Sequence, residues 1–313
     1  MDILILGAGA IGSLFGGFLS EAGHNVYFLG REKNNTVIRS NGLLIDGIWG
    51  EHRITGLKCF ENLNQITDRK IEKFDFVIVS VKSYDTQSII TDYLKHFKCP
   101  IPLISLQNGL GNVEMIGSLA GIENTIGGRV ISGVEYLKPG HIRVTVSAAN
   151  PVLGCLKDGS INKAKAAADM FTAAGIKTDL TDNIYTFIWE KVLYNCALNA
   201  VSTILDINYG KLLSSSSAKD LILNIITEIY GVILKENIIV NFKTPEDYTR
   251  HLFDVLIPRT FEHHPSMLQD INNHKKTEID ALNGAIVSLS EKHKLYAPCN
   301  QTLTGIIKSK EQW

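Results

Sequence analysis

The sequence predicts an α/β fold in which a doubly wound, mostly parallel sheet is followed by an all-α C-terminal domain. Short apolar runs alternate with helical stretches over the first half of the chain. From about Thr181 onward the strand signals fade and helical periodicity continues alone. A chain of 313 residues is also too long for one small core and suits two domains of ordinary size. We therefore expect one domain over residues 1–181 and another over residues 182–313.

Short apolar or β-branched runs mark the candidate strands of the first half. They lie at Ile3–Leu6, Val26–Leu29, Phe74–Val81, Leu103–Leu106 and Thr125–Val130. A helix is expected at Ala10–Ala22, where Gly23 follows as a terminating glycine, and an alanine-rich helix at Asn162–Ala174. Strands that alternate with helices imply right-handed crossovers and a parallel sheet covered on both faces.

A hairpin is expected at Gly133–Val146, because Pro139-Gly140 has the composition of a turn between two β-branched segments. It would add antiparallel strands to the sheet. Four helical segments follow in the second half, separated by serine, glycine or proline. They are Asp182–Asn199, Ala218–Asn237, Thr244–Leu256 and Ser266–His293.

The composition is typical of a globular protein of the cytoplasm, with 45% hydrophobic and 20% charged residues. A net charge of −1 provides no field to hold nucleic acid or an anionic membrane surface. The N-terminus lacks the features of a signal peptide, and no segment reaches the ~18–20 apolar residues of a membrane span. We expect neither nucleic-acid nor membrane partners, and both a monomer and a homodimer stay open.

The cysteines and histidines indicate no metal site. The cysteines are scattered, form no CxxC pair and are interpreted as reduced thiols that mostly fill the core. His263, His264 and His274 have no convincing metal-ligand arrangement. The cysteines are Cys59, Cys99, Cys155, Cys196 and Cys299.

The strongest local signal is the run Gly7-Ala8-Gly9-Ala10-Ile11-Gly12, directly after the first strand. In such a turn the first glycine allows a tight bend and the second leaves room for a pyrophosphate. The third lets the helix pack close to the strand. The helix N-terminus then offers unpaired N–H groups to the phosphates. This pattern predicts a Rossmann-like dinucleotide site, and a purely structural glycine turn is the alternative.

Polar residues follow three candidate strands at the sheet edge where ligands bind. Arg31 stands where an NAD site normally has Asp or Glu, so it favours the 2′-phosphate of NADP. The alternative is a solvated arginine, with Glu32 holding the ribose. Lys82 could face a cofactor phosphate or ribose, or be a surface lysine. Asn108 could bind the nicotinamide side or the substrate, or only form an Asn-Gly turn.

Lys191, Asn195 and Asn199 recur every four residues in a predicted helix and fall within roughly 80° of arc on one face. Polar groups on an otherwise apolar helix are costly to bury, and a polar ligand would satisfy them. Reduction of a ketone by hydride produces an alkoxide, to which a protonated lysine supplies both a proton and a charge. The alternative is a lysine that reaches solvent, with asparagines bonded to nearby backbone.

A second polar cluster spans Ser266 to Glu278. Ser266 is expected to cap a helix, with Gln269 completing a capping box, and its hydroxyl could also face a substrate carboxylate. Glu278 is expected three turns farther along the same helix. It is either an exposed helix charge or a carboxylate that faces Lys191 and a substrate hydroxyl.

With these motifs placed, the whole chain resembles the ketopantoate reductase (2-dehydropantoate 2-reductase) family. The resemblance implies a Rossmann domain followed by a helical domain. It also implies reduction of a small 2-keto acid, 2-dehydropantoate, to (R)-pantoate by NADPH in pantothenate biosynthesis. The matching motifs, in order, are the glycine run at 7–12, Val81-Lys82, Gln107-Asn108-Gly109, Trp189-Glu190-Lys191 with Asn195 and Asn199, Ser266-Met267-Leu268-Gln269-Asp270, and Thr277-Glu278-Ile279-Asp280 with Asn283-Gly284.

The resemblance also implies a role for each candidate residue. Lys191 corresponds to the general acid of the family, and Glu278 to the glutamate that positions it and contacts the substrate. The other positions are Asn195, Asn199 and Ser266 for substrate, Asn108 and Lys82 near the nicotinamide and its ribose, and Arg31 for the 2′-phosphate.

One position departs from the family pattern. Many members have an asparagine before the glycine of a Pro-Asn-Gly-like element, where this chain has Asn208-Tyr209-Gly210. Either a shift of one residue restores Asn208, or one substrate contact differs. A reductase of another branched 2-keto acid or a diketone is therefore an alternative, as is a non-catalytic sensor that binds NADP.

Overall fold

The computed structural model describes residues 1–69, 71, 73–97, 101–156 and 159–313. The chain divides into two compact units. The sheet unit comprises Met1–Gln107 and Asn112–Ile184, and the helical unit comprises Asn108–Gly111 and Tyr185–Trp313.

One mixed, mostly parallel sheet of ten strands organises the described part of the sheet unit. In chain order the strands are β1 (Asp2–Leu6), β2 (Asn25–Leu29), β3 (Leu43–Gly47), β4 (His52–Ile54), β5 (Lys58–Phe60), β6 (Phe76–Val79), β7 (Leu103–Ser105), β8 (Thr125–Lys138), β9 (His141–Cys155) and β10 (Asp179–Thr181). Across the sheet the order is β4-β3-β9-β8-β7-β6-β1-β2-β5, with β10 beside β9.

The strand order reverses between β1 and β6. On one side of β1 lie β2 and then β5, all paired in parallel, although β3 and β4 come between β2 and β5 in the chain and pair at the other end of the sheet. On the other side of β1 lies β6, also parallel to it. From β6 the chain runs through β7 to β8, again in parallel. In open sheets of this kind, ligands bind outside the carboxyl ends of the strands at such a reversal.

Helices cover both faces of this sheet, as expected. Side chains of a strand alternate between faces, and the four residues Ile3 to Leu6 of β1 are all fully buried. Ile3 and Ile5 join one apolar cluster, whereas Leu4 and Leu6 join another. The helices of this unit are α1 (Ala10–Glu21), α2 (Glu32–Asn41), α3 (Asn64–Thr67), α4 (Thr86–His96), α5 (Asn112–Ala120) and α6 (Ile161–Ala173).

The predicted hairpin is confirmed and extends farther than expected. The antiparallel strands β8 and β9 flank Pro139-Gly140, where Gly140 has a φ of +71°. β8 therefore continues eight residues beyond the predicted end at Val130. Conversely, β6 is shorter than the apolar run Phe74–Val81 that predicted it.

The helical unit is built around one apolar cluster, to which its two longest helices contribute most residues. Its helices in chain order are α7 (Ile184–Leu205), α8 (Tyr209–Leu212), α9 (Ser216–Lys235), α10 (Pro245–His251), α11 (Ile257–Arg259), α12 (Ser266–Asn272), α13 (Asn283–Lys292) and α14 (Pro298–Lys310), with a π-helical turn at Leu252–Leu256. The predicted fold class, an α/β sheet domain followed by helices, is confirmed.

The prediction of one helix over Ser266–His293 is wrong. α12 ends at Asn272, and His274 takes the left-handed conformation with a φ of +51°. The backbone N–H and the hydroxyl of Thr277 then donate to the Glu311 carboxylate at 2.7 and 2.6 Å. These contacts take the chain out of helical geometry before α13 begins.

Candidate active site

The glycine turn after β1 is as tight as its sequence predicts. Gly7 has a φ of +110°, and a Cβ there would lie 2.7 Å from the backbone nitrogen of Val81. A Cβ on Gly12 would lie 2.0 Å from the carbonyl oxygen of Gly7. Because neither position has room for a side chain, α1 can pack directly against the end of β1.

The N-terminus of α1 is open to a ligand. Gly9 is the N-cap, and among the described residues no side chain caps the helix. Apart from the adjacent backbone, none of their atoms lies within 4 Å of the point that a Cβ on Gly9 would occupy. Ala8 is buried, whereas Ala10 and Ile11 are partly buried. Unpaired N–H groups at a helix N-terminus, with free space in front of them, suit a phosphate.

Arg31 stands at the same edge of the sheet, as the N-cap of α2. β2 lies beside β1, and the N–H of Gly7 donates to the carbonyl of Leu29 at 3.0 Å. The Arg31 side chain is exposed, and its guanidinium forms no hydrogen bond or ion pair within the described residues. Glu32, the first residue of α2, is exposed as well.

Lys82 follows β6 on the other side of the glycine turn and is partly buried. The Ser80 hydroxyl donates to the Gly7 carbonyl at 2.8 Å, which ties the end of β6 to the turn. The side-chain amide of Gln107 donates to the Val81 carbonyl at 2.9 Å and to the Thr86 hydroxyl at 2.7 Å. Sequence reasoning gave Gln107 no role of its own, yet its amide links the segments that follow β6 and β7.

Three of the predicted residues lie along α7. Asn195 and Asn199 are 7% and 5% exposed, whereas Lys191 is partly buried. Their spacing of four residues puts them on one helix face, and neighbouring positions such as Leu193 and Ala197 are fully buried in the apolar cluster. A buried amide lowers stability unless it forms hydrogen bonds, so the amides on this helix face need polar groups of the protein or of a ligand as partners.

A recess in the helical unit is lined by Asn199 and by three other predicted residues. The segment after β7 reaches it because the N–H of Leu110 donates to the Ala281 carbonyl at 2.8 Å. Two carboxylates line it, those of Asp270 and Glu278, and these residues are 8% and 7% exposed. The residues lining the recess are Asn108, Asn199, Ser266, Met267, Asp270, Glu278 and Leu282.

The break after α12 explains how Ser266 and Glu278 come to line the same recess. In one continuous helix they would be separated by roughly 18 Å along the axis, since each residue rises about 1.5 Å. The chain instead leaves helical geometry after Asn272 and resumes in a 3-10 turn at Ile279–Ala281, whose N-cap is Glu278.

The predicted capping role of Ser266 is wrong. The N-cap of α12 is Pro265, and no side chain caps the helix. Ser266 is already the first helical residue, so its hydroxyl cannot take the N-cap position, and the N–H of Gln269 bonds the Pro265 carbonyl instead. Ser266 is exposed and lines the recess.

Two residues of this region escaped sequence reasoning. Asp270 occurs in a quoted motif without a role, although its position four residues after Ser266 puts both on one face of α12. Tyr209 was noted only as a departure from the family pattern. Its hydroxyl donates to Oδ1 of Asn199 at 2.6 Å.

The other sequence predictions concern thiols, metals and membranes. The described cysteines are free thiols, and burial raises the pKa of Cys59 to about 12. Cys99 lies outside the described residues. Among the residues that the structure describes, no three His, Cys, Asp or Glu side chains form a potential metal site. No helix in the same part of the chain is long and apolar enough to cross a membrane.

Two family models match the chain over nearly its whole length. The model described as "Ketopantoate reductase PanE/ApbA" matches residues 3–158, and the model described as "Ketopantoate reductase PanE/ApbA C terminal" matches residues 183–311. A 2-dehydropantoate 2-reductase of Aquifex aeolicus (strain VF5) is 39% identical, over 99% of this chain and 97% of that protein.

Solved structures share the fold over the full length. A PanE/ApbA family ketopantoate reductase from Ralstonia eutropha JMP134 has a TM-score of 0.87 and 26% identity, covering 100% of this chain and 99% of that one. A D-mandelate dehydrogenase in a ternary structure with NADH and anilino(oxo)acetate has a TM-score of 0.89 and 29% identity. It covers 100% of this chain and 98% of its own.

Proposed function

The chain belongs to the ketopantoate reductase family of oxidoreductases, and we propose that it reduces 2-dehydropantoate to (R)-pantoate with NADPH, as a cytoplasmic step of pantothenate biosynthesis. The observation that carries this proposal is the recess in the helical unit. It combines amide, hydroxyl and carboxylate groups from four separate segments, and four of its residues were predicted from the sequence. Such a set suits a small, polar, anionic substrate.

The cofactor proposal rests on how the sheet unit fits a dinucleotide. Gly7, Gly9 and Gly12 would leave the N-terminus of α1 free for the pyrophosphate. The Arg31 guanidinium forms no hydrogen bond or ion pair within the described residues and would pair with a 2′-phosphate, which favours NADP over NAD. Lys82 would lie near the ribose. When bound, the reduced nicotinamide supplies the hydride.

In the catalytic proposal, Lys191 is the general acid that donates a proton to the carbonyl oxygen of the keto acid. The carbonyl oxygen of the keto acid gains negative charge as the carbonyl carbon is reduced, and a protonated amine that faces this oxygen both stabilises the charge and donates the proton. Glu278 would hold the Lys191 ammonium in place and accept a hydrogen bond from a substrate hydroxyl. The substrate oxygens would be bound by Asn108, Asn195, Asn199 and Ser266.

We further propose a division of roles along the chain. Residues 1–181 would bind the dinucleotide, and residues 182–313, together with Asn108, would bind the keto acid and carry the proton donor. The two family models match residues 3–158 and 183–311, which supports a boundary close to this one.

A panel of 2-keto acids assayed with both NADPH and NADH tests the proposal. We expect the highest kcat/KM for 2-dehydropantoate with NADPH, and lower values for straight-chain and aromatic 2-keto acids. If no 2-keto acid of the panel oxidised NADPH, the proposed activity would be contradicted. A preference for NADH would contradict the assignment of Arg31 alone.

A second candidate is reduction of another 2-keto acid with a bulkier side chain. It is favoured by the similarity to a D-mandelate dehydrogenase. The same panel separates the two candidates, since an aromatic 2-keto acid would then give the highest kcat/KM.

A further inference from the structure

The Tyr209 hydroxyl is bonded to an amide that lines the recess. It donates to Oδ1 of Asn199 over 2.6 Å, and the two residues are 2% and 5% exposed. Burial raises the pKa of the Tyr209 phenol well above its usual value, with a further contribution from Tyr194. The hydroxyl therefore keeps its proton and acts as a donor.

This bond determines which end of the Asn199 side chain is available. An asparagine amide carries one acceptor oxygen and one NH2 group on the same carbon, so fixing the oxygen towards Tyr209 directs the NH2 group away from it. Within the part of the chain that the structure describes, Tyr209 is the only hydrogen-bond partner of the Asn199 side chain. Nδ2 is not among the buried atoms that lack a partner, so it faces accessible space, and Asn199 lines the recess.

Tyr209 is itself held firmly. Its ring packs edge-on against the Tyr194 ring at 5.7 Å and the His263 ring at 5.3 Å between centroids. Its N–H donates to the His263 carbonyl at 3.1 Å, and the next N–H, that of Gly210, donates to the Phe261 carbonyl at 2.9 Å. A Cβ on Gly210 would lie 2.3 Å from the Phe261 ring, which shows how closely the two segments pack.

The neighbouring Asn208 is engaged elsewhere. Its Oδ1 accepts from the Lys211 N–H at 3.1 Å and so caps α8, while its Nδ2 donates to the Glu262 carboxylate at 2.9 Å. Both ends of this amide are used in fixing the loop. Of the residues at 208 and 209, it is therefore Tyr209 that contacts the candidate substrate site.

We propose that Tyr209 is a positioning residue that holds the Asn199 amide with its NH2 group towards the bound 2-keto acid. The carboxylate and carbonyl oxygens of such an acid only accept hydrogen bonds, so a group that faces them must donate. With the amide reversed, the Asn199 oxygen would face substrate oxygens and repel them. This inference rests on the proposed function. By fixing the Asn199 amide, Tyr209 would make the substrate site selective for anionic ligands rich in oxygen.

Tyr209→Phe tests the inference because it keeps the ring and removes the hydroxyl. Asn199 can then take both amide orientations, and we expect KM for the keto acid to rise about twofold if the two are equally populated and up to about tenfold if the reversed one is favoured. The kcat and the Kd for NADPH should stay within about twofold to threefold of the wild type. Tyr194→Phe is the matched control, because that hydroxyl bonds Thr260 at 2.9 Å and not Asn199. It should leave KM unchanged.

A double-mutant cycle separates positioning from packing. Asn199→Ala should raise KM on its own, and adding Tyr209→Phe should change KM little further, because Tyr209 acts through the Asn199 amide. Asn199→Asp leaves Tyr209 intact but cannot supply the NH2 group, so it should also raise KM about tenfold or more. Thermal denaturation of each variant identifies any that fail to fold.

The outcomes are distinguishable. An active wild type whose KM is unaffected by Tyr209→Phe or by Asn199→Asp overturns the inference alone, as does a cycle in which the two losses multiply independently. A wild type that reduces no acid of the panel overturns the proposed function, and this inference with it.

Discussion

Replacing Gly12 with alanine should damage the fold, whereas the same change at Gly9 should damage cofactor binding. A Cβ on Gly12 would lie 2.0 Å from the Gly7 oxygen and 2.5 Å from the Ser80 hydroxyl oxygen. To reach ordinary contact at 3.4 Å, α1 would have to move away from β1 by roughly 1.4 Å. We expect Gly12→Ala to lower the free energy of unfolding by about 2–3 kcal/mol, as for overpacked cores.

Gly9→Ala is the matched comparison, because its Cβ meets no atom within 4 Å and its φ of −83° suits any residue. Its stability should fall by less than about 1 kcal/mol, the loss typical of a poorer N-cap. The added methyl group would occupy the space where we place the pyrophosphate, so Kd for NADPH should rise at least about tenfold. Urea denaturation and fluorescence titration measure the two quantities. Wild-type stability in Gly12→Ala, or unchanged NADPH affinity in Gly9→Ala, would refute the reasoning.

Three further predictions concern catalysis, cofactor choice and pH. Lys191→Ala should lower kcat by about 10²–10⁴-fold, the range for loss of a general acid, with NADPH affinity retained in a fluorescence titration; unchanged turnover would remove that assignment. Arg31→Ala should raise KM for NADPH by about 10–100-fold and leave KM for NADH unchanged in steady-state assays. Glu32→Ala is its control, and a larger effect on NADH there would reverse the cofactor assignment. Burial lowers the pKa of His263 from 6.5 to about 4, so the folded protein resists protonation and should lose roughly 1–3 kcal/mol of stability as the pH falls from 6.5 to 4.5. Urea denaturation across this range should show a shallower loss in His263→Asn, and identical slopes would contradict the prediction.

Local sequence signals predicted the centre of the fold well. The apolar run at β1, the glycine turn and the periodicity of α1 are each encoded within a few neighbouring residues. The strands β3 and β5, with the sequences LLIDG and KCF, were missed because neither contains an uninterrupted apolar run as long as that of β1, and both depend on distant partners. β3 pairs with β9, and β5 pairs with β2. Such strands carry little periodicity of their own.

The break after α12 shows a similar limit. The backbone N–H and the hydroxyl of Thr277 donate hydrogen bonds to the carboxylate of Glu311, which is 34 residues away. No local sequence pattern predicts that contact. Because the break was missed, the sequence put Glu278 on the helix of Ser266, whereas in the structure α12 ends at Asn272 and both residues line one recess.

For the candidate site, residue identity and spacing predicted which residues lie there, but they did not predict the directions of the side chains. The residue types of Asn108 and Asn199 indicated ligand contacts, and the structure places both at the recess with Asp270. Sequence reasoning could not find the Tyr209 contact, because a bond from α8 to α7 depends on how two helices pack. The departure from the family pattern at Tyr209 was the one available signal.

The central claim is that this chain transfers a hydride from a reduced nicotinamide to the carbonyl carbon of a 2-keto acid. The most direct test uses NADPH carrying deuterium at C4 of the nicotinamide, prepared as each of the two stereoisomers, with 2-dehydropantoate as the acceptor. Mass spectrometry should find one deuterium at C2 of pantoate from one stereoisomer and none from the other. Absence of deuterium at C2 with both stereoisomers would contradict the account.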